Sequence, residues 1–102
     1  RAPRLAPVIE NNILRVGQEA ITNATKHAGA RQIKVNLEFG EKQFCMRVWD
    51  DGCGFDPQNP PPSDGGFGLV GIRERAIELK ADLSIHSIPG HGAEIALVVP
   101  LS

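Results

Sequence analysis

Six stretches of the chain carry a hydrophobic period that fixes their conformation. From about Val8 to Ala28, the residues Ile9, Ile13, Val16, Gly17, Ala20, Ile21 and Ala24 return at spacings of three and four, the period of a helix with one apolar face. Gly29 is placed to end that helix as a left-handed cap. Gln32 to Phe39 alternates, with Ile33, Val35, Leu37 and Phe39 on one side, and Gln43 to Asp50 alternates again through Phe44, Met46 and Val48. Gly40-Glu41-Lys42 between them reads as a hairpin turn, so these strands pair antiparallel. Leu69, Ile72, Ala76 and Leu79 mark a second helix over Leu69 to Lys80. Leu83 and Ile85 mark a strand over Asp82 to Ile88. Ile95, Leu97 and Val99 mark a last strand over Ala93 to Val99, entered through the turn Pro89-Gly90-His91-Gly92 and ended by Pro100. The order α-β-β-α-β-β predicts an α+β fold, a two-layer α/β sandwich with a mixed, mostly antiparallel sheet and both helices on one face.

The breaks in the pattern are as informative as the pattern. The second strand delivers Asp50 and Asp51 directly into Gly52-Cys53-Gly54. Small, permissive residues there let backbone approach a ligand closely, although Asp-Gly is also a common hairpin turn. A second cluster, Gly65-Gly66-Phe67-Gly68-Leu69-Val70-Gly71, opens the second helix. Between the clusters, Gln58-Asn59-Pro60-Pro61-Pro62-Ser63-Asp64 is neither helix nor inner strand. It reads equally as a lid and as a plain exposed connection. Arg1 to Pro7, with two prolines, reads as a linker entering a single domain over residues 8–102.

Composition removes whole classes. A chain of 102 residues that is 41% hydrophobic and 23% charged fits one soluble globular domain. A net charge of -1 supplies no general attraction to nucleic acid or to an anionic membrane. No apolar run approaches a membrane span and no signal peptide opens the chain, so a cytoplasmic setting is expected, with any membrane anchor elsewhere in the parent protein. Cys45 and Cys53 have no metal-ligand spacing, and nothing in their positions supports a disulfide.

The chemistry sits beside the apolar face of the first helix. At about 100° per residue, Glu19, Asn23, Lys26 and His27 fall in one stripe bordering that face. On a lone helix such a stripe is a solvated flank. Here it accompanies Asp50, able to accept from an exocyclic amine, and Gly66, Gly68 and Gly71 at a helix entrance, where free N–H groups favour phosphate. Asn23 and Glu19 offer the oxygens that Mg²⁺ takes together with water and substrate phosphates. Lys26 and His27 can meet a phosphate. The parts together describe a purine nucleotide site, built neither as a Walker A loop nor as a Rossmann fingerprint.

On these residues a resemblance is plain. QEAITNATKHA at 18–28 resembles the N box of the GHKL ATPase/kinase superfamily of gyrase, MutL and histidine kinases. DDGCGFD at 50–56 resembles its G1 box, GGFGLVGIRERA at 65–76 its G2 box, and PGHGAEIALVVPL its closing strand segment. The G2 wording and the N box with Lys-His are most similar to sensor histidine kinases of the nitrate-sensor type. The resemblance implies the Bergerat fold with ATP and Mg²⁺ as ligands. It also implies roles: Asp50 on the adenine amino group, Asn23 and Glu19 as catalytic and metal residues, and Lys26 and His27 near the phosphates. Gly52 and Gly54 would admit the adenine, and Gly66, Gly68, Leu69 and Gly71 would shape the phosphate end. Ala93 stands where many relatives carry Thr or Ser.

The implied activity is transfer of the ATP γ-phosphate to a histidine on a separate dimerisation domain, for relay to a LuxR-type response regulator. None of His27, His86 and His91 lies in a phospho-acceptor context. A serine kinase of anti-sigma-factor type and a nucleotide-binding pseudo-kinase are the alternatives. His86, His91, Arg73 and Arg75 are expected at the surface, Trp49 in packing, and Cys53 without a redox role.

Overall fold

The computed structural model describes residues 6–27, 29–54 and 69–101. Helix α1 spans Pro7–Thr22. Ala6 precedes it in extended conformation without a side-chain cap, and Pro stands in its first turn, where a missing N–H costs nothing. The expected helix to Ala28 does not continue regularly. A π turn over Asn23–His27 replaces its last part, and Gly29, at φ 61, ends it. The Ala30 N–H closes back on the Ala24 carbonyl at 2.9 Å.

Strands β1 (Ile33–Phe39) and β2 (Gln43–Asp50) form the expected hairpin, helix α2 spans Leu69–Leu79, and β3 (Asp82–Ser87) and β4 (Ala93–Pro100) complete the fold. Lys80, at φ 55, ends α2 by the bonds that usually recruit glycine: its N–H to the Ile77 carbonyl at 3.0 Å, and the Ala81 N–H to the Ala76 carbonyl at 2.9 Å.

The sheet order is β1-β2-β4-β3, and every pairing among the described strands is antiparallel. Strand β4 is thus inserted between β2 and β3, which α2 connects. Ile13, Val16 and Ala20 of α1 and Ile72, Ala76 and Leu79 of α2 bury against Phe44, Met46, Val48, Ile95, Leu97 and Val99. A Cβ on Gly17 would stand 3.5 Å from the Met46 sulfur, at ordinary contact distance, so α1 lies on β2 with room there for a methyl group and little more.

The first strand departs from expectation. Val35, Leu37 and Phe39 lie on the helix side of the sheet, yet they remain 49%, 54% and 46% exposed. Neither described helix covers this edge, and Leu14 and Ile21 of α1 line an open apolar groove with Val35, Leu37 and Phe39. No helix among the described residues is long and apolar enough to cross a membrane.

This distribution fixes how two similar truncations differ. Leu97→Ala, at a fully buried position, should cost about 2–5 kcal/mol. Leu37→Ala, on the open edge, should cost less than about 1.5 kcal/mol. Urea denaturation of both variants checks the core's location, and equal losses would contradict it.

Candidate functional site

The alternation of β2 carries Asp50 onto the helix side of the sheet, as the next step after Val48. The side chain is 6% exposed. Its Oδ1 accepts the Gly52 N–H at 2.8 Å. Burial raises the Asp50 pKa above the ordinary carboxylate value, the Gly52 N–H opposes that rise, and the neighbouring charge of Asp51 adds to it.

Asp51 faces the other way. Its exposed carboxylate accepts the N–H groups of Arg31 and Gln32 at 2.8 and 2.9 Å, and its own N–H reaches the Gln32 carbonyl at 3.2 Å. The bond from Gln32 leads in holding its pKa down. Of two adjacent carboxylates, one enters the interior and the other fastens the loop before β1.

The turn between β3 and β4 lies directly on this loop. Gly92 has φ 78 and Gly54 has φ 69. A Cβ on Gly92 would collide with the Asp50 carbonyl, and one on Gly54 with the carbonyls of Ile88 and Gly92. The Gly90 N–H donates to the Cys53 carbonyl. Only glycine tolerates both the conformation and the contact. Gly92, read from the sequence as one member of a turn, is therefore part of the site's wall. Ala93 is buried and pairs with Asp50 on one side and Ser87 on the other. In this row the hydroxyl stands at Ser87, whose Oγ–H donates to the Gly92 carbonyl at 2.8 Å.

The helix layer supplies the second half. Asn23, 9% exposed, follows Ile13, Val16 and Ala20 along the buried side of α1, and its Nδ2 is sealed from solvent with no hydrogen-bond partner. Glu19 Oε2 is likewise sealed and unpartnered. Its carboxylate lies against α2 at Gly71, where a Cβ would stand 2.8 and 2.9 Å from the two oxygens. The glycine expected to shape a phosphate end thus makes room for Glu19. Lys26 is exposed. Gly66 and Gly68 lie outside the described residues, as do the side chains of His27 and Leu69 and the Pro-rich loop.

Among the described residues no three His, Cys, Asp or Glu side chains converge as a self-sufficient metal site. The donor set still fits Mg²⁺, which is often held by one or two protein oxygens plus water and phosphate. An orphaned carboxylate oxygen beside an Asn side chain is such a set.

His86, His91 and Arg73 are exposed as expected, and Trp49 is half-buried with the Lys34 ammonium 5.2 Å from its ring. Arg75 differs. It is half-buried rather than solvated, because α2 turns this face towards α1. A four-residue spacing from Gly71 was the only sequence signal of it.

The Asp50 shift has a signed consequence. Its folded pKa is raised, so the unfolded chain releases its proton first. Asp50 therefore withdraws stability as pH rises from about 3.8 to its raised pKa, and the loss persists above. Asp50→Asn keeps an oxygen for the Gly52 N–H and does not titrate. The mutant's stability relative to wild type should rise between about pH 3 and about pH 7. Denaturation curves at both ends check this, and a constant difference would contradict the buried charge.

Comparison with known proteins places this geometry. Over 100 residues the chain is 37% identical to the signal transduction histidine-protein kinase/phosphatase DegS of Bacillus subtilis (strain 168), covering 97% of this chain and 26% of that protein. It is 34% identical over 94 residues to the sensor protein VraS of Staphylococcus epidermidis, covering 92% of this chain and again 26% of the relative. The chain thus spans about a quarter of the length of these relatives. Among solved structures, the histidine kinase domain of the blue-light activated histidine kinase of Erythrobacter litoralis EL346 superposes with a TM-score of 0.76 at 24% identity, over 92% of this chain and 45% of that one. The Acinetobacter baumannii histidine kinase AdeS gives 0.72 at 17%, over 90% and 47%. Both likenesses are of fold. Residues 9–102 match one family throughout, and the chain belongs to it: the histidine kinase-, DNA gyrase B-, and HSP90-like ATPases.

Proposed function

We propose that residues 8–102 are the ATP-binding catalytic domain of a two-component sensor histidine kinase, preceded by a linker. The domain transfers the ATP γ-phosphate to a histidine on a separate dimerisation domain of the same kinase, and a LuxR-type response regulator receives it. The setting is cytoplasmic. One observation carries the reading: the polar side chains buried among the described residues are Asn23 and Asp50, one from each layer. Burying such groups without full hydrogen bonding costs stability. A ligand that donates to Asp50 and offers Asn23 both an acceptor oxygen for its Nδ2 and a metal for its Oδ1 accounts for both. The sensor kinases among the relatives agree with it.

In this reading Asp50 accepts the adenine amino hydrogen and excludes bases that present an acceptor there. The Gly52 N–H holds its carboxylate, and the close approach of Gly92 fixes the backbone that carries it. Glu19 and Asn23 would hold Mg²⁺, which when bound supplies positive charge to the phosphate oxygens during transfer. Lys26 and His27 bind phosphate from the next turn. Gly52 and Gly54 keep the adenine side open, while Gly66, Gly68, Leu69 and Gly71 form the phosphate end. Catalysis rests on positioning, since the attacking nitrogen belongs to another domain.

Two variants separate the halves. Asp50→Asn should weaken ATP, ADP and adenosine alike by about tenfold to a hundredfold, through loss of a charge-assisted bond. Asn23→Ala should leave adenosine unchanged and lower ATP affinity only when Mg²⁺ is present. Calorimetric titrations of all three ligands, with and without Mg²⁺, decide. An Asn23→Ala variant with the full Mg²⁺ enhancement, or an Asp50→Asn variant with unchanged affinities, would overturn the reading.

A further inference from the structure

The seam between α1 and α2 holds polar groups that the nucleotide reading leaves unused. Asn12 Nδ2 donates to Glu78 Oε2 at 3.3 Å, and Asn12 Oδ1 accepts from Arg75 Nη1 at 3.2 Å. Farther along, Glu19 lies against Gly71. The two helices therefore run antiparallel, with Asn12 and Glu19 on the seam side of α1 and Gly71 and Arg75 on the seam side of α2. Arg75 Nε is sealed from solvent and has no partner, as is Glu19 Oε2. One is a cationic donor and the other an anionic acceptor.

They are also close along the seam. Gly71 and Arg75 are four residues apart, so their Cα atoms are about 6 Å apart on one face. The Arg75 guanidinium is held at Asn12 on the same seam. The carboxylate against Gly71 is within the span of an arginine side chain. A carboxylate oxygen sealed from solvent without a hydrogen-bond partner favours a cation within reach. Arg15 and Lys26, the other cations within two turns of Glu19 on α1, are exposed.

We propose that Arg75 is the resident counter-cation of Glu19 and sets the order in which the site fills. The proposal rests on the nucleotide reading. With Asn12 holding one arm of the guanidinium, Arg75 offsets the charge of Glu19 across the seam through buried water and not by direct contact. Its charge repels a free divalent cation from the same carboxylate. Nucleotide phosphates bring the negative charge that offsets this repulsion, so the site takes its metal together with the nucleotide. Arg75 acts as a positioning residue and touches no reacting atom.

Mn²⁺ is the probe, and the whole 102-residue chain is the sample. The free Mn²⁺ signal in electron paramagnetic resonance is followed with and without ADP. Wild type should bind Mn²⁺ weakly alone and tightly with ADP. Arg75→Met should bind Mn²⁺ at least about tenfold more tightly without nucleotide, since a nearby positive charge has gone. Glu19→Gln in the same chain should abolish that gain. Adenosine affinity should not change. Arg75→Lys, which keeps the charge, should behave as wild type. Arg75→Gln, neutral and still polar, carries the same test should the Met variant fail to fold. A purely structural arginine would weaken binding on removal and never strengthen it. Neutral variants with wild-type Mn²⁺ affinity in the absence of nucleotide would overturn the proposal. Failure of wild type to bind ATP would instead refute the nucleotide reading, and the nucleotide-free comparison would still decide on Arg75.

Discussion

A carboxylate withdrawn from water at the end of β2 is the constraint on which this end of the molecule depends. Taking Asp50 out of solvent disfavours its charge, and a single backbone N–H from Gly52 offsets only part of that. The surroundings are arranged to keep the carboxylate there nonetheless. Asp51 fastens the preceding loop through Arg31 and Gln32. Gly92 lies so close to the Asp50 carbonyl that no side chain fits, and Ser87 holds the Gly92 carbonyl in turn. A structure selected for stability alone would place a neutral or apolar residue at position 50. The arrangement makes sense when a ligand supplies the missing donor.

The helix layer repeats this logic. Asn23 Nδ2, Glu19 Oε2 and Arg75 Nε are all sealed without partners, and each such group costs about 1–3 kcal/mol. Antiparallel packing of α1 on α2 brings Glu19 and Arg75 into one seam, and Gly71 leaves room for the Glu19 carboxylate. The π turn contributes as well. It begins at Asn23, and widening the helix there changes the rotation per residue, so that Asn23 stays buried while Lys26 reaches solvent. Turns of this kind are frequent at functional sites.

Local periodicity made most of the fold legible. Alternation found β2 and β4 because both faces of the criterion operate there, and the three- and four-residue spacing found both helices. The motif residues Asp50, Asn23 and Glu19 stood out from the sequence for the same reason: each is polar beside an apolar pattern. What escaped the sequence depended on distant partners. The burial of β1 requires a covering element, and alternation cannot report that none of the described helices covers it. The role of Asp51 escaped too, because the N–H groups it accepts belong to Arg31 and Gln32, about twenty residues earlier. Gly92 is one glycine among several until the turn is laid against β2. Arg75 looked solvated because α2, taken alone, does not say that α1 runs along its flank.

These points lead to a mechanical conclusion. The adenine-side group belongs to the sheet, and the metal-side groups belong to the helices. They share no backbone element, and apolar packing is what sets their separation. At Gly17 the space against the Met46 sulfur admits a methyl group and little more, and a side chain at Gly71 would displace the Glu19 carboxylate. A ligand that engages Asp50 and Asn23 together therefore measures the distance between the layers. Close packing resists continuous deformation, so a side chain larger than methyl at Gly17 acts on binding through the spacing of the layers, without touching the ligand. A side chain at Gly71 would act differently, within the helix layer, by moving the Glu19 carboxylate itself.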